Sequence, residues 1–478
     1  MRYSRVLFYI PPFPGIQEYP GEPHTGIGYL SEFLSRNNVE NDVLDLRMGY
    51  SVKELMKKIH DYQPDLVAST MMTFRHDIAY DLIEQIGSPH YDILVGGPHV
   101  STLRTAVLEE CGADFAIKLE GEYPLLELCN GQDLASIDGL IYRENGRISE
   151  NKDRPFITEL DDIPFPTYEK FEMKKYNTRQ IPLVSSRGCP YKCVYCPIKV
   201  TMGRKMRMRS PENVIQEIEY WYGRGYKKFV FADDNFAFNK ERVYRICELL
   251  IELNHDDLVL KCPNGVRADT MDRDLLQTMK EAGFTQLSFG VEAGNDRVLR
   301  SIKKGETIEI MERAIKGACE LGYDVTLFFL VGSPGETPAD VEDSVALALK
   351  YPLYEAMFYN LIPFPGTELF DWVRENGYFL SQPEEYLNNA SHWGNEPVFE
   401  TPEFPAEERK RVLLATKKVR KAIKRKSYER KFMKLKTGFI SKVGAKFMTS
   451  DSVDWLLSRS KYFGRTIRFL AEKSNIWH

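Results

Sequence analysis

Ser186-Arg187-Gly188-Cys189-Pro190-Tyr191-Lys192-Cys193-Val194-Tyr195-Cys196-Pro197 is the stretch on which the reading of this chain turns. Its three cysteines are spaced Cys-x3-Cys-x2-Cys, on a loop shaped by Gly188, Pro190 and Pro197. Three thiolates this close can each take one iron of a cubane, whose fully protein-bound forms use four cysteines. One iron is then left open for a small molecule. A structural zinc site would instead close with four ligands, and the nearest histidines, His99 and His255, are far away in sequence. The expectation is a [4Fe–4S] cluster on Cys189, Cys193 and Cys196. The other five cysteines, Cys111, Cys129, Cys247, Cys262 and Cys319, are single and scattered. They read as small buried residues, not as a disulfide framework.

Outward from this loop the chain alternates strand-like and helix-like segments. Strands are predicted over 183–185, 228–231, 258–263, 286–290, 325–331 and 355–361. Helices are predicted between them over 211–224, 240–253, 273–282, 308–321 and 338–350. Six such units make a partial TIM-like (β/α)6 barrel over residues 181–375. Upstream, strands over 5–10, 40–46, 66–70, 92–95 and 115–119 alternate with helices over 26–36, 52–62, 77–86 and 101–111. That pattern predicts a Rossmann-like parallel sheet over residues 1–145. Residues 146–180, with Asp161-Asp162-Ile163-Pro164-Phe165-Pro166, read as a linker. Residues 376–478 are polar at first, then basic and mainly helical. The whole is an α/β chain of 478 residues, enough for two or three cores.

The cysteine loop resembles that of the radical S-adenosylmethionine (radical SAM) superfamily, where an aromatic residue precedes the third cysteine; Tyr195 stands there. The resemblance continues through strand-end motifs over most of residues 183–370. Phe231-Ala232-Asp233-Asp234-Asn235 follows the second barrel strand, and Asp233 and Asp234 match positions near the amino group of SAM. A helix N-cap pair is the plainer account of these two carboxylates. Arg267, in Asn264-Gly265-Val266-Arg267, matches a polar residue of the SAM site. Glu292, in Gly290-Val291-Glu292, matches the position that bonds the SAM ribose. Gly335, in Gly332-Ser333-Pro334-Gly335-Glu336, lies where the backbone supports adenine. Pro363-Phe364-Pro365-Gly366 follows the sixth strand. All stand at carboxyl ends of strands, where a barrel places its active site. The resemblance implies reductive cleavage of SAM to a 5′-deoxyadenosyl radical that takes hydrogen from an unactivated carbon.

Residues 1–145 resemble the cobalamin-binding domain found ahead of the barrel in one large subclass. Pro23-His24-Thr25-Gly26-Ile27-Gly28, Asp45, Gly96-Gly97-Pro98-His99 and Glu120-Gly121-Glu122 carry that likeness. It implies cobalamin contacts at Gly96, Gly97, Pro98, His99 and Glu122. The Asp-x-His-x-x-Gly motif that gives a histidine to cobalt is absent, so a cobalt without protein histidine is expected. Leu119 stands where relatives have glycine. The alternative is a degenerate domain that binds nothing, with His99 an ordinary loop histidine.

The net charge of −5 hides an asymmetry: residues 405–478 hold 21 Lys+Arg against 6 Asp+Glu, or +15, leaving −20 for the rest. A basic amphipathic region suits an anionic membrane surface, and equally a helix packed on an acidic body. The run of aromatics Phe432, Phe439, Phe447, Trp455, Tyr462, Phe463, Phe469 and Trp477 would suit an interface. RNA binding lacks an accompanying signature. No apolar run spans a bilayer and no cleavage site follows the first apolar stretch, so a cytoplasmic protein is expected, with peripheral membrane contact. The stretch Thr201-Met202-Gly203-Arg204 to Pro211 resembles hopanoid-associated members, and other relatives serve bacteriochlorophyll biosynthesis. C-methylation of a lipid, an isoprenoid or another small molecule is therefore the leading expectation, driven by a one-electron reductant such as flavodoxin or ferredoxin. Radical rearrangement or cyclisation without methyl transfer is the alternative. An iron–sulfur electron carrier or membrane-associated adaptor is the reading from another class.

Overall fold

The computed structural model describes residues 2–12, 20–176 and 179–434, together with Thr449. The first sheet holds β1 (Arg5–Ile10), β2 (Glu40–Asp45), β3 (Leu66–Thr70), β4 (Asp92–Gly96), β5 (Phe115–Ile117), β6 (Leu140–Glu144) and β7 (Arg147–Glu150), in the order 2-1-3-4-5-6-7. β1, β3 and β4 are central and parallel, and their residues are buried almost without interruption (Val6 to Ile10, for example). Such runs suit strands covered by helices on both faces. The edge strand β2 instead alternates buried and exposed residues.

Two features depart from the sequence reading. The antiparallel hairpin β6–β7 extends the sheet past residue 145, turning on Asn145 and Gly146, both at positive φ. The helix expected over 101–111 is two, Pro98–Leu103 and Thr105–Glu110, broken at Arg104 (φ 58°). Pro98 starts the first of them directly after Gly97, because proline suits the first helical position.

The second sheet is fully parallel, in the order β15-β14-β13-β12-β11-β8: β8 (Gln180–Leu183), β11 (Lys228–Phe231), β12 (Val259–Val266), β13 (Phe284–Glu292), β14 (Asp324–Val331) and β15 (Glu355–Asn360). The first barrel strand thus lies slightly earlier than expected. Residues 186–187 (β9, Ser186–Arg187) pair antiparallel with β10 (Arg207–Met208) instead. β8 and β15 do not pair, so the barrel stays open between them.

The helix Thr25–Arg36 and the buried Tyr168, Phe171 and Tyr176 join the two sheets in one apolar core. The segment read as a linker is therefore partly built into the core. The C-terminal helix Ala406–Lys434 lies along β15. Its Leu413 packs with Val331, Val341 and Phe404. Arg420 and Lys424 pair with Glu355, Lys431 pairs with Asp324, and Arg430 bonds the carbonyls of Pro352 and Leu353. Much of the helix's basic character thereby faces the acidic base of the barrel. The Phe432 side chain and the aromatics from Phe439 to Trp477 lie outside the described residues. Among the described residues, no helix is long and apolar enough to cross a membrane.

Candidate functional site

The cysteine loop is pinned at its start by Gly188. This residue has φ +90°, and a Cβ there would fall 2.6 Å from the Lys205 carbonyl oxygen. Cys189 N–H donates to Gly203 O (3.2 Å), Val194 N–H to Ile302 O (3.1 Å), and Leu369 N–H back to Val194 O (2.9 Å). The Arg267 guanidinium lies 3.5 Å over the Tyr191 ring, clamping the loop from the third-strand side. Arg267 is itself held by Asp269 (2.7 Å), Glu306 (3.3 Å) and the Lys304 carbonyl (2.9 Å).

The three thiols are partly exposed. Burial pushes each of them up, Cys196 to about 12. Three neutral thiols on one pinned loop fit a group that brings its own positive charge and so holds them as thiolates. Among the described residues, no three His, Cys, Asp or Glu side chains gather around a single ion position. A cubane takes each thiolate on a different iron. The five scattered cysteines carry no such arrangement: Cys111, Cys129, Cys247 and Cys262 are buried singly, and Cys319 is half-buried.

The two aspartates after β11 part company. Asp233 is buried and fully engaged, accepting from Ser185 N–H (2.6 Å), Ser185 Oγ (2.5 Å) and Ser186 Oγ (2.8 Å). It braces the turn from β8 into β9. Among the described residues, Asp234 accepts only from Gly188 N–H (3.2 Å), and it lines the cavity. Burial, with Asp233 nearby, raises its carboxyl to about 6. An ammonium group beside it would return it to the charged form. Glu292 has φ +68°, uncommon for a residue with a side chain, at a register shift in β13. It accepts from Lys304 Nζ (3.0 Å), and the Tyr195 phenol lies beside it. Gly335 (φ +70°) gives its carbonyl to Arg297 (2.7 Å).

Across from this loop lies the switch point of the first sheet, between the carboxyl ends of β1 and β3, where open α/β sheets bind ligands. A cavity of about 300 Å³ opens there. Gly96, Gly97, Pro98 and Glu122 line one side; Arg187, Met202 and Asp234 line the other. Gly97 (φ +99°) admits no side chain, since a Cβ would meet Thr70 Oγ1 at 2.7 Å. The glycine-lined wall lets a ligand approach the backbone closely.

Arg187, two residues before the first cysteine, crosses the boundary between the two sheets. It bonds Glu120 at 2.8 Å and Glu122 at 2.7 Å, and Arg207 adds a 2.6 Å bond to Glu120. Burial opposes Arg187's charge, yet Glu122 and Glu120 outweigh it and raise its pKa. His99, the next residue after the Gly96-Gly97-Pro98 turn, is fully buried beside the cavity wall, stacks on His76 (4.3 Å) and bonds Tyr80 Oη (2.9 Å). The helix that begins at Pro98 turns it inward, and burial holds it neutral, down to about 3. His24 does line the cavity. Its Nδ1 accepts from Ile27 N–H (3.2 Å) at the N-cap of Thr25–Arg36, and burial lowers it to about 4.

Residues 183–348 match the Radical SAM superfamily, and residues 18–129 match the B12 binding domain. The chain belongs to the radical SAM superfamily. It is a radical SAM enzyme with a B12 binding domain ahead of its barrel, and these domains imply a [4Fe–4S] cluster, SAM and cobalamin. An uncharacterized methyltransferase of Pyrococcus horikoshii is 29% identical over 427 residues, covering 86% of this chain and 91% of that protein. The cytidylyl-2-hydroxyethylphosphonate methyltransferase of Streptomyces wedmorensis is 27% identical, covering 77% and 80%. The anaerobic magnesium-protoporphyrin IX monomethyl ester cyclase of Cereibacter sphaeroides is 26% identical, covering 78% and 64%. In fold, this radical SAM chain is similar to the cobalamin-dependent radical enzyme OxsB (TM-score 0.74, 15% identity, covering 99% and 80%). It is also similar to the radical SAM methyltransferase TsrM of Kitasatospora setae (TM-score 0.66, 21% identity, covering 78% of each chain).

Lys304, Glu306, Arg187 and His24 carry this site without having been singled out from sequence. His24 sat inside a quoted motif. Lys304 and Glu306 lie in a loop without motif, and only the fold brings them to Glu292 and Arg267.

Proposed function

We propose that this enzyme methylates an unactivated carbon of a small molecule, with Cys189, Cys193 and Cys196 holding the cluster. One observation carries the reading: Gly96, Gly97, Pro98 and Glu122 share a single cavity with Arg187 and Asp234, next to the cysteine loop. When bound, the cluster and SAM supply the one-electron cleavage that removes a substrate hydrogen, and cobalamin supplies the methyl group.

In this reading Asp234 uses its free carboxylate oxygen to hold the ammonium group of SAM, a charge-assisted bond. Glu292, steadied by Lys304, takes the ribose hydroxyls. Tyr195 packs beside it and keeps water from that side. Arg267 acts through Tyr191, fixing the loop's shape, and the backbone around Gly335 lies under the adenine. Glu122 and the Gly96-Gly97-Pro98 turn form the cobalamin side, while His99 supports that turn from behind. An apolar substrate such as a lipid or isoprenoid suits the walls Leu30, Met72, Leu119 and Val184.

Anaerobically reconstituted enzyme given cobalamin, SAM, a one-electron reductant and candidate substrates tests this by mass spectrometry of the products. 5′-Deoxyadenosine and S-adenosylhomocysteine forming together, and both lost in Cys193→Ala, are the expected outcome. 5′-Deoxyadenosine without S-adenosylhomocysteine would favour rearrangement or cyclisation, in keeping with the relatives named as cyclases. Neither product would end the enzyme mechanism proposed here.

A further inference from the structure

Arg409 heads the fully buried side chains by size. It lies in the first turn of the C-terminal helix Ala406–Lys434, where the helix's own field opposes a positive charge. Among the described residues, its Nε, Nη1 and Nη2 all lack a hydrogen-bond partner. The guanidinium lies 4.4 Å from the Phe399 ring centre and 5.5 Å from that of Phe404. Gly332 covers its other side so closely that a Cβ there would fall 2.4 Å from Arg409 Cζ.

Gly332 opens the 332–337 loop after β14. Within that loop Glu336 accepts from Gly332 N–H (2.5 Å) and Ser333 N–H (3.0 Å), curling it on itself. Its second oxygen, Oε1, and the Ser333 hydroxyl have no hydrogen-bond partner among the described residues. Glu336 and Arg409 attract each other without a direct bond. Burying a charge without hydrogen bonds is costly, and a leucine would fill such a place without that cost. The guanidinium's flat contact with Gly332 and its attraction for Glu336 both act on one object, the loop.

We propose that Arg409 is a positioning residue for SAM: it presses the 332–337 loop into the shape that supports the adenine, making the C-terminal helix part of the SAM site. This rests on the reading above that the loop lies under SAM. The charge acts through Glu336, and the planar face acts through Gly332, where no other residue would let it approach.

Arg409→Met keeps most of the volume and removes the charge. The variant and wild type are reconstituted with the cluster and compared by iron content, by equilibrium dialysis of SAM, and by KM and kcat for 5′-deoxyadenosine. The SAM Kd and KM are expected to rise about tenfold, about 1.4 kcal/mol, with kcat and iron content unchanged and Arg409→Lys restoring part of the affinity. Unchanged SAM affinity in a folded, cluster-loaded Arg409→Met would overturn the proposal. Should that variant not fold, hydrogen exchange of the wild-type enzyme decides. SAM is expected to slow exchange in residues 332–337 and also in 405–413; protection confined to the loop overturns the idea. Wild-type enzyme that binds no SAM removes the functional reading and this proposal together, whereas normal wild-type binding with an indifferent variant removes the proposal alone.

Discussion

Arg187 and Arg409 stand at opposite ends of the barrel sheet, beside the first and fifth strand-end loops, and are held in opposite ways. Arg187 is locked between Glu120 and Glu122, and its pKa rises. Arg409 has aromatic rings and a glycine for neighbours, and burial lowers it to about 10. The difference separates two uses of a buried charge. A fully bonded arginine fixes two halves of the molecule in one arrangement. An unbonded one contributes little to stability and acts by pushing on a neighbour.

The contrast breaks first at Arg187. Arg187→Met leaves Glu122 buried without its partner and should cost about 3–5 kcal/mol, the range for breaking a buried pair. Urea unfolding of the reconstituted protein would show it, with loss of bound cobalamin alongside. Gly332→Ala comes next: at φ +108° against Arg409, the strain should cost about 1–3 kcal/mol. That cost should shrink in an Arg409→Ala background, since the two changes share one contact. Arg409→Met should shift stability by no more than about 1 kcal/mol in either direction, because no hydrogen bond is lost. A large loss would mean that Arg409 is held as Arg187 is.

A pH dependence tests the 332–337 loop itself. Burial raises Glu336 from 4.5 to about 7, so its protonation stabilises the fold below that pH, and above it the carboxylate faces Arg409. The resulting contribution is complete below pH 4.5 and is lost as pH rises through about 7. Unfolding midpoints measured at pH 5 and pH 8 should therefore fall further for wild type than for Glu336→Gln.

The two ends also differ in how far sequence reveals them. The cysteine loop was legible because its three cysteines, its glycine and its aromatic residue are contiguous. The strand-end motifs were legible as a series, since parallel strands carry their ligands at one end. The surroundings of Asp233 and His99 were hidden in the sequence for local reasons. Asp233 faces two serines at the end of β8 that spacing does not bring near it, and Pro98 starts a helix one residue before His99. Lys304 reaches Glu292, and Arg409 reaches Gly332, only through packing of distant segments. Nothing in the run Glu407-Glu408-Arg409-Lys410-Arg411 marks Arg409 as the buried one; only its neighbours across the barrel do.

The open edge of the barrel has a consequence for biosynthesis. β15 is covered by the helix Ala406–Lys434, which leaves the ribosome long after the cysteine loop does. A nascent chain can thus present its three cysteines while β15 is still bare, and the helix Ala406–Lys434 covers that strand only afterwards.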